Sequence, residues 1–249
     1  MEIVDAPFEG FARARNHCLD AVRRQGHHDA WIFMVDADEV HGGGLETVTR
    51  GVLASLPPSV GVVDAYVVQF LQTLDYYISL DRRHNLFFRL TPETRYERDV
   101  HEQLQGVRGR RLCLPYVYHH YGYVRPNQEI LDKWRLYQRL GDKTYKDGQL
   151  AAQASSTMFV DHAPQCIPYT WSHPPVMRDS RAQAIAQDSD TDAFVKAVSA
   201  YLSHPRARWW ARLRSVNYRL RLGFRLFECL PWMRHLGPWF DLARQTLVP

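Results

Sequence analysis

Residues Trp31 to Glu39 read WIFMVDADE: five apolar residues run without a break into three carboxylates, Asp36, Asp38 and Glu39, interrupted only by Ala37. A continuous apolar run bounded by turn residues predicts a strand covered on both faces, of the kind found in the parallel part of an α/β sheet. The carboxylates then fall at the C-terminal end of that strand, the edge at which open α/β sheets bind ligands. Side chains alternate along extended chain, so Asp36 and Asp38 project to one side. Two hard oxygen donors on one side suit Mg²⁺ or Mn²⁺ and leave positions for substrate phosphate oxygens. The same residues also fit a strand that ends in a solvated acidic turn, and a D-x-D triplet alone does not choose between the two.

A chain of 249 residues with 45% hydrophobic and 23% charged residues can bury a substantial core as one α/β domain, or as a domain with an appendage. Cys18, Cys113, Cys166 and Cys229 are widely spaced and form no C-x-x-C pair, which argues against a zinc cluster or a dense disulfide framework and fits a reducing compartment. No leading apolar segment looks like a signal peptide and no apolar run spans a bilayer, so the expected location is cytoplasmic. The formal charge of +4 is unevenly distributed: nine arginines from Arg206 onward face only Glu228 and Asp241, which leaves the preceding body net acidic.

In chain order, Met1 to Phe8 holds a short apolar pulse that predicts a strand, and Phe11 to Arg24 has Phe11, Ala14, Cys18, Leu19 and Val22 at helical spacing. Arg13, Arg15 and Asn16 lie in the first turns of that helix, where arginines oppose the helix dipole unless an anion offsets them; a solvated face fits them as well. Leu45 to Leu56 predicts a helix stopped by Pro57 and Pro58. A strand is expected from Val60 to Leu74, and a second short one from Leu86 to Leu90 that carries Arg89, a residue seldom buried without an anionic partner. His101 and Glu102 follow an extended stretch. Leu112 to Tyr123 has strand composition, and its His119 and His120 face opposite ways, so at most one reaches a given site. Pro126 and Asn127 open a helix with Asn127 as N-cap, Ile130, Trp134 and Tyr137 as buried stripe, Lys133 in its middle and Gly141 at its stop. Pro164 to Pro175 predicts extended chain wrapped around the body, and Arg178 to Thr191 a polar linker.

The segment from Asp192 predicts helix, followed by a tail that interleaves its arginines with Trp209, Trp210, Phe224, Phe227, Trp232, Trp239 and Phe240. Such a tail can lie in a membrane interface, or it can pack on the body with its arginines as the wet face. No nucleic-acid partner is expected, because no binding motif accompanies the charge.

Taken in order, FARARN, WIFMVDADE, LFFR, VHEQL and HHYGY resemble the F-S-x-A-R-N, L-D-A-D-E, R-L-F-R, V-H-E and H-Y-G-Y blocks of bacterial family 2 glycosyltransferases of the GT-A fold. The likeness covers Phe11 to Tyr123 and fades after about Gly141, although WSHPP is similar to a His-Pro segment that closes such domains. It implies an α/β fold: a GT-A-type, Rossmann-like mixed sheet flanked by helices, lacking the first strands, with a C-terminal helical extension. The implied organisation is a partial catalytic domain over 1–160, an extended Pro-rich segment and linker over 161–191, and a basic, aromatic helical tail over 192–249.

The resemblance also implies an activity, metal-dependent and inverting transfer of a sugar from a nucleotide-sugar to a hydroxyl of a glycan, lipid-linked or protein acceptor. Asp36 and Asp38 would bind a divalent metal bridging the donor diphosphate, and His120 would complete its shell or touch the diphosphate. Arg15 and Asn16 would lie near the nucleotide, with Arg89 and Lys133 neutralising the diphosphate. Glu102 would take the proton from the acceptor hydroxyl, and His101 would orient it. Family members begin with a strand, an Asn-Glu turn and a D-x-G-S/T strand, whereas Met1 falls at roughly the third strand. The implied chain is a truncated, weakly active form whose open sheet edge is covered by a partner copy or by the basic tail. The alternative is a non-catalytic module that binds glycan or, through residues 206–249, the anionic inner face of a membrane.

Overall fold

The computed structural model describes residues 5, 7–142, 158–178 and 189–229. Most of the strand expected from Met1 to Phe8, most of the linker after Arg178, and Trp232, Trp239 and Phe240 lie outside the described residues; Asp5, Pro7 and Phe8 are described and are not in a strand.

The first helix, α1 (Phe11–Arg24), matches its predicted span and buries Ala12, Leu19 and Ala21. Arg23 and Arg24 in its last turn complement the helix dipole. β1 is only Trp31–Phe33, half-buried, and pairs antiparallel with β4 (Thr73–Arg89). This corrects the expectation of a long strand covered on both faces. After the Met34 N–H bonds to the Leu86 carbonyl at 3.0 Å, the chain closes on itself: the Glu39 N–H donates to the Asp36 carbonyl (3.0 Å) and the Asp36 N–H to Glu39 Oε2 (3.1 Å). The acidic residues thus satisfy their backbone within a turn, and Asp36 and Asp38 stand on that turn. β2 (Glu39–Val40) leaves it to pair antiparallel with β7 (Arg110–His120).

The strand that does run covered on both faces is β3 (Val60–Leu71), with eleven of its twelve residues buried. It pairs antiparallel with β4 and parallel with β7, giving the mixed order β1-β4-β3-β7-β2 with β8 (Ile167–Pro168) on the outer side of β4. The strand expected at 60–74 is present as β3, and the short one expected at 86–90 is the end of the much longer β4, so the two are arms of one long hairpin. Gln72 turns it in a left-handed conformation (φ 61), and its side-chain amide donates to Asn127 Oδ1 at 3.0 Å. The polar stretch Asp81–Asn85 hid the continuity of β4, because those side chains serve the site while their backbone stays in the ladder. β5 (Arg95–Glu97) and β6 (Gln103–Gln105) form a separate hairpin beside α1.

Helix α2, residues 44–55, has a π-helical middle (Thr47–Val52) and ends as predicted: Leu56 is extended (ψ 138) because Pro57 excludes the helical conformation before it. It packs Val48, Val52 and Leu53 against Val63, Phe87, Leu114 and Tyr118 on one face of the sheet. In α3 (Asn127–Arg139) the cap position is Pro126; Asn127 is the first helical residue and is buried because its side chain is bound to Gln72. The Pro-rich segment is not one extended wrap. It contains a 3₁₀ turn (Val160–Gln165), β8, and a second 3₁₀ turn (Pro175–Arg178). Helix α4 (Ser189–Ser203) seats Phe194 and Val198 against Leu71 and Cys166, and α5 (Pro205–Cys229) lays Tyr218 and Leu222 on the other face of the sheet. The fold is therefore mixed α/β, a mixed parallel and antiparallel sheet flanked by helices. Among the described residues, no helix is long and apolar enough to cross a membrane.

Candidate functional site

Segments from across the fold meet at the end of the sheet where the acidic turn lies: α1, the turn 36–38, Gln69 of β3, Arg83 of β4, the loop 100–102, the end of β7 with Tyr123 and Arg125 beyond it, and α3. They line a cavity of about 870 Å³.

Arg15 is the bracket of this site. Its Nη2 donates to Asp36 Oδ1 and its Nε to Glu102 Oε1, both at 2.8 Å. The anions that an arginine in the first turns of a helix requires are thus supplied by the turn and the loop. Burial works against the Arg15 charge, but Asp36 and Glu102 more than offset it and hold its pKa above the ordinary value. Asp36 Oδ2 accepts a further bond from Arg83 Nη2 at 3.1 Å. Asp38 meets a separate set of partners: the imidazole His120 Nε2 lies 3.2 Å from Oδ1, and the cations Lys133 Nζ and Arg125 Nη2 lie 3.1 Å and 3.8 Å from Oδ2. Burial opposes ionisation of Asp38, yet His120 and Lys133 outweigh it and hold the carboxyl well below the usual range. Glu39, the third acid of the run, turns inward. It braces the turn, touches Tyr118 Oη at 3.4 Å, and its pKa is depressed despite burial by His41 and the Asp36 N–H.

His120 and His119 point to opposite sides of β7, as alternation requires. His120 Nδ1 bonds Gln69 Oε1 on the neighbouring β3, so both of its ring nitrogens face acceptors. His119 is buried against the Tyr169 hydroxyl at 2.6 Å. Gly122 makes the approach of Asp38 and His120 possible: a Cβ there would lie 2.6 Å from both Asp38 Oδ2 and His120 Nε2.

Glu102 directly precedes β6, at the end of a loop in which Arg98 (φ 72) and His101 (φ 55) both adopt the left-handed conformation. His101 lines the cavity with Glu102, and its Nε2 lies 3.2 Å from Asp142 Oδ2. Two of the expected residues stand elsewhere. Asn16 grips β5 through a pair of bonds with the Tyr96 backbone, at 2.9 and 2.7 Å. Arg89 stacks its guanidinium 4.5 Å from the Trp31 ring, donates to the Val60 carbonyl at 3.1 Å, and does not line the cavity. Arg83, Arg125, Gln69 and Gly122 were missed. Arg125 follows the HHYGY block closely and Arg83 stands in a run of polar residues between apolar ones, a break in pattern that marks a site on a long strand.

No family model matches this chain, and no curated protein matches it.

Two carboxylates on one turn, fenced by Arg15, Arg83, Arg125, Lys133 and His120, suit a ligand that brings both anionic oxygens and a cation. The donor set of Asp36 and Asp38 fits a hard divalent ion. Among the described residues no three His, Cys, Asp or Glu side chains already converge on one point.

Proposed function

We propose that this protein is a glycosyltransferase of the GT-A, family 2 type, transferring a sugar from a nucleoside diphosphate donor to a hydroxyl acceptor with inversion. The observation that carries this reading is the bracket of Arg15. It ties the D-x-D turn to Glu102 from a separate loop, so that a candidate diphosphate site and a candidate base share one cavity.

Asp36 and Asp38 would hold a divalent ion, which when bound supplies charge neutralisation for a diphosphate leaving group. Lys133, Arg83 and Arg125 serve the same diphosphate as point charges and guanidinium forks. Glu102 accepts the proton of the acceptor hydroxyl as the new bond from that oxygen to the anomeric carbon forms and the bond to the diphosphate breaks. Arg15 keeps the Glu102 carboxylate aimed into the cavity, which Leu136 and Tyr137 of α3 also line. The reaction belongs on the cytoplasmic side of a membrane, where nucleotide-sugars are made. Calorimetry of the chain with Mn²⁺ and a panel of nucleoside diphosphates tests it: metal-dependent binding lost in Asp38→Asn is expected, and absence of metal-dependent heat with every nucleotide would overturn it.

A specific observation favours a second property, peripheral contact with anionic lipid. Trp209 (55% exposed), Leu213, Val216 and Leu220 (56%) recur at helical spacing along α5, on the side opposite the buried Ala207, Ala211 and Leu222. Arg208, Arg212 and Arg219 flank that stripe on one side and Arg206 and Arg221 on the other. A helix docked by one face and bearing an apolar stripe fenced by arginines on the other suits a bilayer interface. Flotation with phosphatidylglycerol vesicles should recover the protein, and the triple variant Trp209→Glu, Leu213→Glu, Leu220→Glu should stay behind; equal recovery of the two would discard the idea.

A further inference from the structure

Asp64, in the middle of β3, is fully buried and belongs to no sequence pattern. Its oxygens are each doubly engaged. Oδ1 accepts from the Asn85 N–H (2.9 Å) and from Arg111 Nη1 (2.6 Å); Oδ2 accepts from Arg82 Nε (2.8 Å) and Nη2 (2.5 Å), with His84 Nδ1 at 3.4 Å. A second bond, from Arg111 Nη2 to Asn85 Oδ1 at 2.9 Å, fixes the Arg111 plane. Two guanidinium groups therefore share one carboxylate, and the excess positive charge is directed outward: Asp64 is 0% exposed, whereas the Arg82 and Arg111 side chains are 34% and 41% exposed. They face a cavity of about 710 Å³.

That cavity adjoins the one above the acidic turn. Arg15, Arg83, His101 and Glu102 line both, so Glu102 stands at the boundary between them. On one side of it lie Asp36 and Asp38; on the other, the cations held by Asp64.

We propose that the cavity over Asp64 is a subsite for an oxyanion, phosphate or carboxylate, carried by the acceptor. The assignment of this oxyanion to the acceptor rests on the reading of Glu102 as the base of a glycosyl transfer. Arginine forks match the paired oxygens of phosphate and carboxylate, and two forks immobilised from behind by one buried carboxylate present their outer edges without losing side-chain freedom on binding. One Asp64 carboxylate offsets only one of the two guanidinium charges, so the pair keeps a net positive charge for a ligand anion. An anionic acceptor anchored here would bring a hydroxyl to Glu102, while the donor diphosphate occupies the far side of the same carboxylate.

The test is titration of the full chain with glucose 6-phosphate, glucuronate, inorganic phosphate and unsubstituted glucose, beside the Mn²⁺ and nucleoside diphosphate titration. Glucose 6-phosphate or glucuronate is expected to bind and glucose not, and which of the two binds distinguishes a phosphate from a carboxylate source. The double variant Arg82→Gln, Arg111→Gln should weaken that binding at least about tenfold and leave metal-dependent nucleotide binding in place. His84→Ala, at an exposed position that spares the four close bonds to Asp64, should weaken it about two- to threefold and serves if the double variant does not fold. Equal binding of glucose and its phosphate, no effect of these variants, or parallel loss of nucleotide binding in them would overturn the proposal, the last by assigning the arginines to the donor. If the natural chain binds the anionic sugars but no nucleotide, the transferase reading falls and the anion site stands; the reverse removes the anion site alone.

Discussion

Arg15 and Glu102 are 87 positions apart in sequence and joined by one hydrogen bond of 2.8 Å, while the other arm of the same guanidinium reaches Asp36. A planar fork can hold two carboxylates at a set separation, which a lysine ammonium cannot. Arg15→Lys should retain most of the stability, since a cation remains between the two acids, but lower kcat/KM about 100-fold, or ~2.7 kcal/mol. Arg15→Ala should lose the same activity and also lower stability by about 1–3 kcal/mol. Steady-state kinetics beside denaturant melts separate the two effects; equal activity of the lysine variant and the natural protein would remove Arg15 from the site.

Gly122 provides a way to disturb the Asp38 corner without touching a charged group. It is not in the left-handed region, so alanine there is conformationally allowed, but the added methyl would meet the ends of Asp38 and His120 at 2.6 Å. Those ends must move. Gly122→Ala is expected to weaken metal-dependent nucleotide binding about tenfold while shifting stability by less than about 1 kcal/mol. Calorimetry and thermal melts on the same sample check this.

Acid sensitivity should be traceable to His119. Burial, reinforced by the neighbouring His173, pulls its pKa from the ordinary 6.5 to about 3. The unfolded chain takes up this proton below pH 6.5 and the folded chain only near 3. Stability is thus full above pH 6.5 and declines as pH falls towards 3, at about 1.4 kcal/mol per pH unit for one proton. Asp38, whose folded pKa is depressed, contributes stability that is present above its unfolded value of 3.8 and lost below it, so its window lies lower. Urea midpoints of His119→Gln between pH 4 and 6.5 should fall less steeply than those of the natural protein; parallel slopes would contradict the assignment.

Asp64→Asn keeps the shape of the buried strut and removes its charge. The amide turns a donor towards one guanidinium, and Arg82 and Arg111 lose their shared partner. Because both are partly exposed and can rehydrate, the expected cost is about 2–3 kcal/mol, at or below the low end for a broken buried pair. A fall in Tm of about 4–12 °C would follow for a chain of this size.

How much of this was legible in the sequence depends on the range over which each residue acts. α1, α2 and α3 are set by local spacing and by stop signals such as Pro57 and Gly141, and all three lie where periodicity puts them. Alternation separated His119 from His120 correctly. The Trp31 run failed as a long strand because its last acid, Glu39, folds back on the Asp36 N–H, a choice that composition does not reveal. Arg89 and Asn16 were placed with the ligand groups on type alone; the stacking on Trp31 and the clasp on Tyr96 depend on segments tens of residues away. Asp64 was invisible for the converse reason, a single acid within a run of valines whose partners come from β4 and β7.

On its side away from β3, β4 is paired by β8 at Tyr76–Tyr77 and by β1 at Phe87–Arg89; between these, among the described residues, no strand covers it. The open length carries Asp81, Arg82, Arg83 and His84. Charge of this density disfavours the addition of another chain as a further strand, so the residues that face the two cavities also blunt this edge. Recognition and solubility are thereby coupled. Substitutions that make this stretch apolar to suit a different ligand would expose an adhesive edge, and variants selected for altered specificity here should acquire their aggregation and their new preference together.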